Sequence, residues 1–179
     1  MTYEEMDAIA MLKADHRKVE EIFAAFEAAK SPTKKQALAE QACLELKVHA
    51  TIEEEVFYPA CEGKIEEDLL KEAYVEHDGA KTLINEIEAS SPEDEFYDAK
   101  VKVLSEMIEH HVKEEEQRVE GMFAQARDAG LDMDALADAM RARKVTAMEE
   151  YQAGKPAVTT TFQGDDGPME APAEGADAR

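Results

Sequence analysis

The chain has 179 residues, the size of one domain with at most a small appendage, and Ala, Glu, Leu, Lys and Met, the strong helix formers, dominate it. Its 42 acidic against 20 basic residues give a formal net charge of -22, which repels phosphate backbones and anionic lipid surfaces, so neither nucleic acid nor membrane is expected as a partner. The start MTYEEMDAIAML lacks the features of a signal peptide, no stretch approaches the ~20 apolar residues that span a bilayer, and the two unclustered cysteines, Cys43 and Cys61, suit a reducing cytoplasm.

Four long helical patterns come first in the chain. The first runs from about Tyr3 to Ala29, with Ile9, Leu12, Val19, Phe23 and Phe26 on one face. Ser31-Pro32 reads as an N-cap and first-turn proline for the second, which carries Leu38, Ala42, Leu46, Val56 and Ala60 and stops near Cys61 to Gly63, with Pro59 placed to kink or tighten its last turn. The third runs from after Gly63 to about Ala89 on Leu69, Ala73, Ala80, Ile84 and Ile87. Ser91-Pro92 repeats the cap signal for a fourth, which carries Tyr97, Val101, Leu104, Ile108, Val119 and Met122 to about Asp128. Short connections make consecutive helices antiparallel neighbours, so the expected fold is all-α, an up-down-up-down four-helix bundle over residues 1–129. An accessory helix follows over 130–153, with Leu136, Met140 and Met148 as its modest apolar face. Residues 154–179 are too rich in Gly, Pro, Thr and Asp to offset their ordering entropy and read as a disordered tail.

The histidines fall inside the apolar stripes. His16 completes 9, 12, 16, 19, 23; His49 and Glu53 complete 42, 46, 49, 53, 56, 60; His77 completes 69, 73, 77, 80, 84; His111 and Glu115 complete 101, 104, 108, 111, 115, 119. Four imidazoles and two carboxylates inside one core demand a dense hydrogen-bond network or a cation, and a metal resolves the charge. His16 precedes His49 by 33 residues and His77 precedes His111 by 34, and a glutamate follows each second histidine by four. Two halves of the form H…HxxxE suit two metals bridged by two carboxylates, with two histidines on each. His110 is rotated about 100° off the stripe of His111 and is expected at the boundary. Glu114 and Glu116, like Glu54 and Glu55, are expected to face water. HExxH, the ExxH of ferritin-like proteins, EF-hand loops and phosphate-binding glycine loops are all absent. Imidazole and carboxylate in a helical core suit iron, with manganese and zinc as weaker competitors.

These residues resemble the hemerythrin-like, or HHE cation-binding, domain over about Ile9 to Met122. The motifs that carry the resemblance are LKADHRKVEEIF around His16, HATIEEEVFYP from His49, EHD around His77, and HHVKEEE with His111 and Glu115. The resemblance implies a non-haem di-iron centre, oxo- or hydroxo-bridged, with Glu53 and Glu115 spanning both irons. Oxygen-carrying members have a histidine pair one turn apart on the third helix. Here His77 stands alone between Ala73 and Lys81, and Glu115 follows His111 by four where an aspartate at five is typical. One iron is thereby left a place for water, oxide, peroxide or a side chain such as Tyr58. The pattern implies a response to O2, peroxide or nitric oxide rather than oxygen carriage; separately, the accessory helix and tail, residues 130–179, offer a surface through which a protein partner is addressed. A catalase- or peroxidase-like enzyme and an iron store are the rivals.

Overall fold

The computed structural model describes residues 5–154, all helix and turn with no strand among them. Residues 1–4, and all of the expected tail except Gly154, lie outside the described residues.

Helix α1, Ala8–Ala28, begins where the Asp7 side chain accepts the Ala10 backbone N–H at 2.8 Å. Helix α2, Pro32–Ile52, starts on its proline, whose missing N–H costs nothing in a first turn. It continues through a π-helical turn, Glu53–Phe57, into α3, Tyr58–Cys61. Pro59 has no N–H to give the carbonyl of Glu55 and its ring crowds that carbonyl, so the backbone widens and the Tyr58 N–H bonds to Glu53 instead. The extra residue in this turn shifts the inward face by one. Val56 and Ala60, expected in the stripe, are only half-buried, whereas Phe57, Tyr58 and Cys61 are fully buried.

Helix α4 spans Glu67–Glu88, after a turn in which Gly63 takes φ 68°, and α5 spans Tyr97–Glu116. Two expectations about α5 are corrected. Ser91-Pro92 opens a turn rather than the helix: Asp94 accepts the Ser91 N–H at 2.8 Å, and Tyr97 is the first helical residue. The helix also ends at Glu116, not Asp128, and Val119 is exposed. The chain turns through Gln117 to Gly121 before α6, Met122–Asp128. A Cβ at Gly121 would lie 2.6 Å from the backbone N and O of Gln117, so this corner admits only glycine. Helix α7, Met133–Gln152, is capped by Asp132, which accepts the Ala135 N–H at 3.0 Å.

α1, α2, α4 and α5 close a ring in which α1 meets α2 and α5, and α4 meets the same two. His16 faces His49 while Phe26 faces Lys35, and His77 faces His111 while Glu86 faces Lys100, so each hairpin is antiparallel. The apolar core is split in two. One cluster, with Phe23, Phe26, Ile84, Tyr97 and Leu104, fills one end; the other, with Leu12, Ile52, Phe57, Met122 and Met140, fills the end where α6 and α7 pack. The inward histidines and glutamates form the layer between them. No helix of the described residues is long and apolar enough to cross a membrane.

Candidate metal centre

All six expected residues meet in that layer. His16, His49, His77 and His111 are each no more than 6% exposed, and Glu53 and Glu115 no more than 1%. Every imidazole turns its Nε2 inward. His16 Nε2 lies 3.0 Å from His49 Nε2, and His77 Nε2 lies 3.2 Å from His111 Nε2. Glu53 Oε2 stands 3.2 Å from His49 and 3.3 Å from His77, and Glu115 places Oε2 3.4 Å from His16 and Oε1 3.5 Å from His111. Each carboxylate thus spans one histidine of either half, as the H…HxxxE repeat requires. Glu53 Oε1 and Glu115 Oε2 are buried with no hydrogen-bond partner, a costly arrangement unless a cation faces them. Ligand atoms of His16, His49, Glu53 and Glu115, and of Glu53, His77 and His111, come within 4.8 Å of one another, close enough to hold metal ions. Four nitrogens and two carboxylates are a donor set that fits iron, manganese or zinc.

Behind each ring stands a carboxylate. Glu116 accepts from His16 Nδ1 at 2.8 Å, Glu54 from His77 at 2.9 Å, Glu76 from His111 at 2.7 Å, and Asp15 from His49 at 3.5 Å. A carboxylate only accepts, so Nδ1 carries a proton and the Nε2 lone pair is the one free for a metal. The expectation that Glu54 and Glu116 face water is therefore corrected: both are half-buried and hold imidazoles, while Glu55 is exposed. Periodicity within one helix missed these partners because all four lie on a neighbouring helix: Asp15 on α1 serves α2, Glu116 on α5 serves α1, Glu76 on α4 serves α5, and Glu54 in the π-helical turn serves α4. Lys81 is buried too. Its Nζ reaches Glu54 at 2.7 Å and Asp78 at 3.5 Å, so it clamps the carboxylate behind His77.

Tyr58, turned inward by the π-helical turn, completes the layer. Its hydroxyl donates to Glu115 Oε1 at 3.0 Å and lies 3.2 Å from His77 Nε2 and 3.5 Å from Glu53 and His111. Burial, with the charges of Glu115 and Glu53 added, pushes the phenol well above its ordinary value, so it keeps its proton. For the imidazoles burial acts against the charged form, yet the Glu53 charge and the bond to Asp15 hold His49 up at about 10, and bonds to Glu53 and Glu54 hold His77 up at about 9. Burial likewise opposes the charge on Glu53, but His49 and His77 overcome it and lower its pKa well below the usual range. Without metal, protons on His49 and His77 balance the charge of Glu53. A cavity of about 20 Å³ borders His49, His77 and His111, lined by Leu46, Ala80, Ile84 and Ile108 and by Lys47 and Lys81. That is room for one small molecule.

His110 lies outside the layer, 64% exposed, with its Nε2 3.4 Å from Glu76 and 3.3 Å from Glu114. His110→Ala should leave metal content unchanged and alter stability by no more than ~0.5 kcal/mol, read by metal analysis and thermal melting. Cys43 and Cys61 are buried, and burial pushes both thiols up to about 12, which leaves them inert.

A family model described as the Hemerythrin HHE cation binding domain matches residues 7–123. The chain is similar to a DNA nickase of Nostoc sp., 31% identical over 113 residues that cover 63% of this chain and 32% of the relative; it thus corresponds to about a third of that protein's length. Among solved structures it is similar to a Hemerythrin HHE cation binding domain-containing protein from Mycobacterium kansasii, at TM-score 0.68 and 19% identity, covering 83% of this chain and 91% of that one, which shows a shared fold.

Proposed function

The chain belongs to the Hemerythrin HHE cation-binding domain family, and from that premise we propose that it holds two non-haem irons and responds to O2, peroxide or nitric oxide. His16 and His49 would hold one ion, His77 and His111 the other, with Glu53 and Glu115 spanning both. The observation that carries this is that Glu53 and Glu115 each keep one buried oxygen without a hydrogen-bond partner, in a layer with four inward Nε2 atoms whose rings are each backed by a carboxylate.

Iron at this centre supplies one-electron redox change and a coordination position for a small ligand. The chain's own residues decide what reaches it. The cavity beside His49, His77 and His111, walled by Leu46, Ala80, Ile84 and Ile108 and bordered by Lys47 and Lys81, limits what reaches the centre to a small molecule. The two apolar clusters above and below the layer exclude bulk water. Tyr58 keeps a proton beside Glu115 and stands 3.2 Å from His77 Nε2, on the half whose α4 carries a single histidine. We do not extend to this chain the nicking of DNA named for the Nostoc relative: the match covers a third of that protein, and a charge of -22 opposes a phosphate backbone.

Metal analysis of the chain purified and reconstituted with ferrous iron should give about two irons per chain, against the four-plus-two donor set. Less than one overturns the dinuclear reading. Stoichiometric change of the optical spectrum on adding O2, NO or peroxide supports a responsive centre; sustained O2 release from peroxide makes it an enzyme instead. Tyr58→Phe, which removes only the hydroxyl, should keep both irons and alter that spectrum, and an unchanged spectrum would place Tyr58 outside the ligand field.

A further inference from the structure

The four carboxylates behind the imidazoles are not equivalent. Those behind His16, His77 and His111 lie at 2.7–2.9 Å and belong to bundle helices α5, α2–α3 and α4. The one behind His49 is Asp15, at 3.5 Å, and both its carboxylate oxygens are gripped by Lys144 Nζ. Lys144 belongs to α7, beyond the family-matched residues 7–123. The same helix fastens to the region around His49 at further points: Tyr151 shares a hydrogen bond with Thr51 at 2.9 Å and accepts Lys47 over its ring at 5.2 Å, and Arg143 pairs with Glu55. The pair of Lys144 and Asp15 is shielded, with side chains 16% and 7% exposed, so it keeps more of its strength than a surface pair.

We propose that α7 sets how firmly the His16–His49 half retains its metal, with Lys144 as a positioning residue that fixes Asp15 and through it the ring of His49. This rests on the two-iron reading above. A carboxylate behind a ligating imidazole orients the ring and raises its basicity, and loss of such a partner costs about 10–100-fold in metal affinity. Lys81 stands in the corresponding place behind His77, gripping Glu54, but it is supplied by the bundle itself. The two halves are therefore governed separately, one by the bundle and one by the added helix. By linkage, whatever loosens α7 weakens retention in one half, and metal in that half tightens α7.

The test uses the full chain loaded with ferrous iron without air, and follows its release to a coloured ferrous chelator. In Lys144→Met, which keeps the stem and removes the charge, half of the iron should leave about tenfold faster or more while the rest keeps the parent rate. Lys81→Met should speed the other half, and Lys144→Arg should restore the parent behaviour. Equal acceleration of both halves in Lys144→Met, as a loosened bundle would give, or no acceleration at all, overturns the proposal. Should Lys144→Met not fold, Asp15→Asn must accelerate the same half. A parent chain that releases less than about two irons in total defeats the two-iron reading and this proposal with it; two irons released with Lys144→Met like the parent defeats this proposal alone.

Discussion

Glu53→Ala should lose both irons. Glu53 is the most enclosed of the six residues, 0% exposed, and its Oε2 touches one histidine of each half. Removing it deletes a carboxylate that both ions need and strips His49 and His77 of the charge on which their raised pKa values depend. In the metal-free chain, deleting one partner of a buried charged cluster costs about 3–5 kcal/mol. The loaded chain loses the metal's contribution to folding as well. Iron content below about one per chain, with a lowered melting temperature, is the expected result. Glu53→Gln separates charge from shape: it fills the same volume, so it should also lose iron while costing less of the packing. Retention of about two irons in either variant would remove Glu53 from the ligand set. His110→Ala is the control one residue from His111, and its indifference would show that burial in the layer, not the count of histidines, makes the centre.

The contrast between Glu53 and its neighbours shows what a single sequence discloses. A stripe of period 3.6 names the inward residues of an isolated helix, and His16, His49, His77 and His111 fall on such stripes because one helical surface faces the core throughout. Where the helix departs from that period the stripe fails. The π-helical turn at Glu53–Phe57 moved the inward face from Val56 to Phe57 and brought Tyr58 into the layer. Pro59 was visible as a perturbation, but proline does not say whether a helix kinks or widens. Gly121 gives no such signal: the stripe runs straight through it to Asp128, and only the close approach of Gln117 shows that a tight corner follows α5. Partners on other helices left no periodic trace. Asp15 looks like one more acid among 42, and its bond to His49 follows from the crossing of α1 and α2. Lys144 is further removed still, since it reaches Asp15 from 129 residues away in sequence.

Metal removal should reverse how the stability of the chain depends on pH. In the metal-free chain His49 and His77 titrate at about 10 and about 9 against an ordinary 6.5, and His16 is also raised, so these groups bind their protons more tightly folded than unfolded. Their contribution is complete below 6.5 and is lost as pH rises through about 9 and about 10. Glu53, lowered from 4.5, contributes above that value and loses its contribution as pH falls through its depressed folded pKa. The metal-free melting temperature should therefore be highest between about 4.5 and about 6.5 and fall steadily toward 10. A metal at the same Nε2 atoms competes with those protons, so its binding releases them and strengthens as pH rises over the same span. The gap in melting temperature between loaded and chelated chain should widen from pH 6.5 toward 9, measured by circular dichroism on anaerobic samples. A metal-free melting temperature that is flat or rises across this window would show that protons do not stand in for metal among these carboxylates. A gap that narrows would show that the metal binds elsewhere than at the imidazoles. Protons and metal contend for one set of lone pairs, which is why a chain so rich in acid can bury two carboxylates in its core in either state.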